Sequence, residues 1–449
     1  MSQVLSKYPA RSVPRYTSYP TVPHFSRDFA ANDYRGWLER LNPDETVSLY
    51  LHVPFCRKVC WYCGCNMRLA SRYEPVAAYA ETLCREIELL AAALPARMTI
   101  SHLHWGGGTP TALEPDDLER TMASVHDHFD FSETAELAIE SDPRTLSREM
   151  TAAIGRLGFN RASFGVQEFD PKVQQAINRV QPPEMVRAAV DGFRAVGVNA
   201  INFDLIYGLP YQTTETLMNT IDVAVAMMPD RVALFGYAHV PWMAKKQRLI
   251  PSHALPGTEA RVAQADAAAE AFRRAGYVGI GFDHFALPHD DLAQAAQRGT
   301  LHRNFQGYTV DEATSLLGVG ATSIGRTPFG YVQNIADTTA WSRAVNAGQL
   351  PVSKGHAFQG QDRIRGEIIE QLMCQGTVDL AEVTREASLP SDTFGAELEE
   401  LREFARDGIV ELGGARVRVT EPGRRLVRTV AAVFDSYYKQ APARHSLAV

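Results

Sequence analysis

Six times between residues 47 and 245 an apolar, β-branched run gives way to an amphipathic helical one, and that alternation limits the folds open to the chain. VSLYLHVPF (47–55), ISHLHWGGG (100–108), ELAIESDP (136–143), RASFGVQEF (161–169), AINFDLIYGLP (200–210) and RVALFGYAHV (231–240) read as strands. Helical patterns lie between them, among them 76–94, 114–129 and 182–197, the last ending on Gly197 as a helix C-cap does. Six βα units joined by short turns predict a parallel sheet, closed or partly closed into a barrel. Each run also ends in polar residues or glycine: the cysteines after residue 55, Gly106–Thr109, Glu140, Gln167, Asp204 and the 237–239 segment. In an α/β barrel that rim carries the chemistry, so these ends predict one convergent site.

Beyond residue 245 the repeat breaks. Segments 276–288 and 315–325 are strand-like, 301–310 reads as an irregular aromatic-rich loop, and from about 355 a charged helical composition takes over. A short β-like pair follows in IVELGGARVRVTEPG. The expected fold class is α/β: a partial (β/α)6 TIM-like barrel with an N-terminal extension and a mainly helical, winged-helix-like C-terminal domain. The corresponding divisions are 1–46, which contributes to the active site, 47–350 and 351–449, because 449 residues are too many for one compact core. Winged helices often bind DNA, but this one lacks a concentrated basic face, so a lid or packing role is expected. A net charge of −7 argues against nucleic acid as a partner while leaving room for a local basic pocket. No stretch approaches 18 apolar residues and the N-terminus lacks the apolar core of a signal peptide, so a cytoplasmic protein that crosses no membrane is expected.

Four of the six cysteines, Cys56, Cys60, Cys63 and Cys65, fall within ten residues as C-x3-C-x2-C-x-C. Three thiolates fill three corners of a cubane and leave one iron open, whereas a structural zinc wants a closed set of four ligands. His52 is expected on the wrong side of its strand to help such a zinc. His102 and His104 flank Leu103, and at most one is expected to face the site. A catalytic iron–sulfur site is therefore preferred to a zinc knuckle, with Cys84 and Cys374 as core residues. Trp105-Gly106-Gly107-Gly108-Thr109-Pro110 is neither G-x-G-x-x-G nor a Walker loop. Its glycines let the backbone pass close to a ligand, which beside an open iron suggests an amino-acid or nucleoside group.

C-x3-C-x2-C after a first strand and GGGTP after a second resembles the radical S-adenosylmethionine enzymes, in which S-adenosylmethionine chelates the open iron and is split to a 5′-deoxyadenosyl radical. PRYTSYPT (14–21), the Cys63-Gly64-Cys65 ending, DLIYGLP (204–210) and HRNFQGY (302–308) narrow the resemblance to the oxygen-independent coproporphyrinogen III oxidases of haem biosynthesis, from about residue 14 to the C-terminus. The resemblance implies a [4Fe-4S] cluster on Cys56, Cys60 and Cys63, with Cys65 nearby but not a ligand. It implies contacts to a first S-adenosylmethionine from Tyr50, Gly107, Glu140 and Ile324. A second would meet Tyr62, Gly108, Thr109, Gln167, Arg179, Asp204 and Ala238, where Tyr62 stands in place of the family's frequent Phe. From the residues themselves, Glu140 and Asp204 suit ribose hydroxyls or an ammonium, but also a helix N-cap or a buried ion pair. Arg179 also fits a solvated helix position, and Gln167, a buried amide, needs partners.

The reaction so implied is anaerobic oxidative decarboxylation of two propionates of coproporphyrinogen III to vinyl groups, giving protoporphyrinogen IX and using two S-adenosylmethionines. No protein group is assigned as a certain catalytic acid or base. A substrate with four carboxylates needs an apolar pocket with cationic anchors, for which Arg15 and Arg303 are candidates, or else residues of loop packing. Unidentified electron donor and acceptor, and a monomer, complete the expectation. The alternatives are a haem chaperone of the same superfamily and a zinc-stabilised winged-helix regulator.

Overall fold

The computed structural model describes residue 8 and residues 13–440. The outer parts of the expected 1–46 and 351–449 divisions, residues 1–7, 9–12 and 441–449, lie outside the described residues. The alternating repeat takes the form β1 (Thr46–Val53), α1 (Glu74–Ala91), β2 (Thr99–Gly107), α2 (Pro115–His128), β3 (Asp130–Ser141) and α3 (Arg148–Arg156). It continues with β4 (Arg161–Gln167), α4 (Pro183–Ala195), β5 (Ala200–Tyr207), α5 (Thr214–Val225), β6 (Arg231–Gly236) and α6 (Thr258–Arg274). Strands β1 to β6 pair in sequence order and in parallel.

The sheet extends at both margins. A hairpin, β7 (Val278–Ile280) and β8 (His284–Ala286), adds antiparallel to β6. On the other side β9 (Ser315–Val319) lies parallel to β1, followed by antiparallel β10 (Ile324–Thr327), β11 (Gly330–Asn334) and β12 (Val352–Ala357). The twelve strands run β12-β11-β10-β9-β1-β2-β3-β4-β5-β6-β8-β7, and the two outermost are not paired with each other, so the barrel is partial. Both faces of the central strands are covered, as expected for a parallel sheet: β1 buries six of its eight residues. Helix starts follow local chemistry; Ser147 accepts the Met150 N–H to cap α3, and Thr213 accepts that of Thr216 to cap α5.

Three segments fold differently from their sequence pattern. The 276–288 run is the β7–β8 hairpin, because Gly281, at φ +54°, reverses the chain. The 315–325 run breaks into β9 and β10 at a turn through Gly320 and Thr322, both at positive φ. The 301–310 loop is a short hairpin, His302–Asn304 with Gly307–Thr309. Strand β3 begins at Asp130, six residues before the apolar pattern at 136, because its first turns include exposed Asp130, Glu133 and Thr134.

One apolar cluster fills the space between sheet and helices. A second lies around α7 (Asp362–Gln375), the helices Leu380–Glu386 and Gly395–Arg406 and the three-stranded sheet of residues 377–379, 410–413 and 416–419. Tyr8, Val13, Tyr16 and Tyr19 from the start of the chain are part of this second cluster. Tyr16 Oη donates to Asp435 at 3.0 Å and Tyr19 Oη meets Ser436 Oγ at 2.9 Å. Among the described residues no helix is long and apolar enough to cross a membrane.

Candidate active site

The cysteine loop leaves β1 and is tied down where the first cysteine sits: Phe55–Cys56 pairs with Arg68–Leu69, and Ala70 N–H donates to Cys56 O at 2.9 Å. Its far side is held by Asn178 Nδ2, 2.7 Å from Val59 O, and by Trp61 N–H, 3.0 Å from Ile177 O. Cys60 Sγ receives two guanidinium N–H groups, from Arg144 at 3.1 Å and Arg179 at 3.3 Å. Asp142 anchors both arginines, at 2.6 and 3.4 Å. Thr109 Oγ1 lies 3.5 Å from Cys56 Sγ. The Cys65 N–H donates to Cys63 Sγ at 3.3 Å, and the Cys65 contact pulls the Cys63 thiol down to about 6. Burial, by contrast, pushes the Cys56 thiol up to about 11.

Cys60 and Cys63 lie close enough to Cys56 to act on its charge, yet among the described residues no three His, Cys, Asp or Glu converge as ligands of one ion. A cubane asks for one thiolate on each of three irons rather than a closed knot around a single metal. Three thiols on one loop, with N–H and hydroxyl groups directed at their sulfurs, are a donor set that fits an iron–sulfur cluster.

The glycine run passes beside this loop with no room for side chains. A Cβ on Gly108 would stand 2.7 Å from Phe55 O. Gly107, at φ +115°, would bring one within 2.6 Å of the His52 ring. Its N–H donates to Glu140 Oε2 at 3.2 Å, while Glu140 Oε1 lies 3.2 Å from His104 Nε2. Tyr50 Oη sits 3.0 Å from His52 Nδ1, and its ring stacks on His104 at 5.8 Å. Burial pushes the His52 imidazole down to about 4, so it is neutral, and its Nε2 is buried without a hydrogen-bond partner. Ile324 lies against Gly318, the residue paired with Tyr50 on β1.

Two expectations about histidines are thereby corrected. His52 is on the site face of β1, two residues from Tyr50, not on the wrong side. His102 and His104 share one face because alternate strand positions point the same way. His104 meets Glu140, and His102 lies deeper with Asp311 at 3.1 Å.

Further along the rim, Asp204 on β5 accepts from Asn202 Nδ2 at 3.1 Å and Ser163 Oγ at 3.3 Å. Burial, reinforced by the nearby Glu140 charge, raises its carboxyl to about 6. Gln167 ends β4 in the left-handed region at φ +67°, a cost a non-glycine residue bears mainly at functional or over-determined positions. Its amide and the Arg179 guanidinium both close on Gly165, whose added Cβ would be 2.8 and 2.9 Å from them. Buried Gln247 ties two distant candidate cofactor contacts together, donating to Tyr62 O at 2.7 Å and Ala238 O at 3.1 Å.

The structure separates the two substrate candidates. Exposed Arg15 lines a cavity of about 390 Å³ at the ends of β5 and β6. Arg303 is buried, stacked 4.5 Å over Tyr308, and borders a second cavity of about 550 Å³. Sequence reasoning missed Asp142, Arg144, His104 and Gln247. Arg144 was within reach, since it follows the ESDP strand end directly; nothing local marks Gln247.

Residues 50–224 match the Radical SAM superfamily and residues 358–426 the HemN C-terminal domain. The chain is 46% identical to an oxygen-independent coproporphyrinogen III oxidase of Bradyrhizobium diazoefficiens, over 98% of each chain. It is 42% identical to that of Paracoccus denitrificans, over 97% of this chain and 96% of the other. Among solved structures, the coproporphyrinogen III oxidase of Escherichia coli, a radical SAM enzyme, superposes with a TM-score of 0.90 at 36% identity. That match covers 95% of this chain and all of the other.

Proposed function

The chain belongs to the oxygen-independent coproporphyrinogen III oxidases of the radical S-adenosylmethionine superfamily, and from that premise we propose what each side chain on the rim does. The enzyme converts two propionates of coproporphyrinogen III to vinyl groups, giving protoporphyrinogen IX in haem biosynthesis. When bound, the [4Fe-4S] cluster and S-adenosylmethionine supply a 5′-deoxyadenosyl radical able to take a propionate hydrogen.

Cys56, Cys60 and Cys63 hold the cluster, and Cys65 orients Cys63 without ligating. Arg144 and Arg179 offset the thiolate charge on Cys60 and fix its direction. Gly107 and Gly108 present bare backbone to the cofactor, with Tyr50, Glu140 and Ile324 around its first copy. Tyr62, Thr109, Gln167, Asp204 and Ala238 surround the second, where Asp204 accepts from a hydroxyl or ammonium. Arg15 and Arg303 hold substrate carboxylates. No acid or base need be assigned, since carbon dioxide leaves from a substrate radical. The reading carries with it a cytoplasmic monomer, divided near residues 46 and 350, served by an electron donor and acceptor and engaging neither nucleic acid nor membrane.

The observation that carries the reading is the spread thiol set with two arginines on its middle member, set against a side-chain-free glycine run. An anaerobic assay with coproporphyrinogen III, S-adenosylmethionine and a strong reductant tests it. Formation of 5′-deoxyadenosine and protoporphyrinogen IX is expected, and the absence of both refutes the reading.

A further inference from the structure

Two stretches that carry candidate cofactor contacts lie back to back behind the rim. One is the end of β4 with residues 168–170; the other is the turn 177–182 that follows the short helix Pro171–Ala176. The first carries Gln167. The second carries Arg179, whose Nη1 meets Cys60 Sγ at 3.3 Å, and Asn178, whose side chain holds the cysteine loop at Val59 O. In each stretch one non-glycine residue sits in the left-handed region, Gln167 at φ +67° and Asn178 at φ +54°. Such strain persists only where the surroundings over-determine it.

What over-determines it is a pair of buried amides. Gln174, 3% exposed, and Gln181, fully buried, bond each other reciprocally. The Gln181 N–H donates to Gln174 Oε1 at 3.1 Å, and Gln174 Nε2 donates to Gln181 O at 2.8 Å, which closes residues 174–181 into a loop around Arg179. The Arg179 N–H adds a bond to Gln174 O at 2.9 Å. Both amides then reach across to the end of β4. Gln174 Nε2 also donates to Glu168 O at 2.8 Å, and Gln181 Nε2 donates to Gly165 O at 3.1 Å and to Val166 O. The carbonyls on either side of Gln167 are thus held by the turn that carries Arg179. Glu168 secures the same stretch, accepting the Phe169 and Asp170 N–H groups at 2.7 and 3.0 Å and Gln212 Nε2 at 2.7 Å.

Packing alone does not call for this arrangement. An apolar pair of the same volume would fill the space without stranding a polar atom, whereas Gln181 Oε1 is buried with no partner. The amides stay at that cost, and their hydrogen bonds end on the residues that hold the site.

Resting on the function proposed above, we propose that Gln174 and Gln181 are positioning residues, one clamp that sets the Arg179 guanidinium on Cys60 and the Gln167 amide toward the second S-adenosylmethionine. The two guided side chains converge at Gly165, where an added Cβ would stand 2.8 Å from the Gln167 amide and 2.9 Å from the Arg179 guanidinium. The clamp itself touches neither thiol nor cofactor. It ties one to the other, since a loosened turn releases Cys60 and the second cofactor together.

Gln174→Met in the reconstituted holoenzyme tests this, because it keeps the length of the side chain and removes every amide bond. Bound S-adenosylmethionine is counted by equilibrium dialysis, and the cluster is followed by EPR after reduction and by iron release to a chelator. The variant should keep its iron and sulfide content and bind one S-adenosylmethionine as the wild type does. It should bind the second about tenfold more weakly, the scale of one or two lost hydrogen bonds. Iron release should quicken and the EPR line shape should change. Thr121→Val, which removes a buried hydrogen bond within α2, should lower stability and move none of these readouts.

Should Gln174→Met fail to fold, Gln174→Glu decides. Protonated, the new carboxyl accepts from the Gln181 N–H and donates to one carbonyl, as the amide does. Ionised, it faces Glu168 O and Gln181 O with no hydrogen to offer. Its second-cofactor affinity, compared with wild type at the same pH, should match near pH 6 and fall about tenfold near pH 9. An unchanged second affinity in Gln174→Met overturns the proposal, as do equal weakening of both cofactors and a pH-independent defect in Gln174→Glu. A wild type that binds only one S-adenosylmethionine overturns it too. A wild type that binds two yet forms no protoporphyrinogen IX refutes the function and leaves the clamp standing.

Discussion

Replacing Asp204 by Asn should make the protein more stable and less able to hold its cofactor, and both effects can be sized. The carboxyl titrates near 6 in the fold against an ordinary 3.8, a shift of a little over two units. At 1.36 kcal/mol per unit that amounts to about 3 kcal/mol, trimmed to about 2 kcal/mol because the residue keeps some contact with solvent. The sign follows from the direction. A carboxyl raised in the fold contributes fully below its unfolded pKa and loses that contribution as pH climbs through 6. Above that the ionised Asp204 burdens the fold, beside Glu140, while Asn does not ionise. Asn can still accept from Asn202 and donate to Ser163, so the local hydrogen bonds survive. Urea unfolding of the reconstituted protein without S-adenosylmethionine, at pH 5, 7 and 8, should show a gain that widens from pH 5 to 7 and then levels. Binding of S-adenosylmethionine should weaken at least tenfold. A variant no more stable than wild type at pH 8, or a gain that shrinks as pH rises, would refute the electrostatic reasoning; unchanged cofactor binding would remove Asp204 from the site.

Cys60→Ser should abolish the cluster and activity, and Cys84→Ser should leave both, as measured by iron and sulfide content and 5′-deoxyadenosine yield. Gly108→Ala forces a methyl to within 2.7 Å of Phe55 O, so it should cost about 1–3 kcal/mol in urea unfolding and cut cofactor affinity sharply. Arg144→Ala strips one donor from Cys60 and should speed cluster loss to a chelator without removing the cysteines. Tyr16→Phe deletes a buried hydrogen bond to Asp435 and should cost about 1–3 kcal/mol, a loss that Tyr73→Phe, on the distant α1 side, does not reproduce in local exchange around residue 435.

The repeat that builds β1 to β6 was legible because each strand carries buried apolar residues in a short run bounded by helical patterns, with β1 buried on both faces. Where burial is one-sided the signal fades, as in the exposed first half of β3. The turns at Gly281 and Thr322 were missed for another reason: a positive φ costs only one residue and leaves the apolar composition on either side intact. At the site, residues at strand ends were recoverable, since a polar group there interrupts an apolar pattern. Arg144 and His104 were lost to a boundary drawn one residue short and a misjudged strand parity. Gln247 had no such mark. It reaches Tyr62 across 185 residues of chain while also holding Ala238, and only three-dimensional closure brings them together.

The hydrogen bonds from Tyr16 and Tyr19 to Asp435 and Ser436 set an order of events during synthesis. Residues 16–19 cannot take their places until residues 435–436, more than 400 positions further along the chain, have been made. Throughout that interval the barrel and its cysteine loop can exist while Arg15 and the arginines of 424–428 are not yet assembled over the rim. Residues 16–19 therefore complete the second apolar cluster only after the barrel between them and residue 435 has been made, and a variant cut before residue 435 leaves Tyr16 and Tyr19 without these partners.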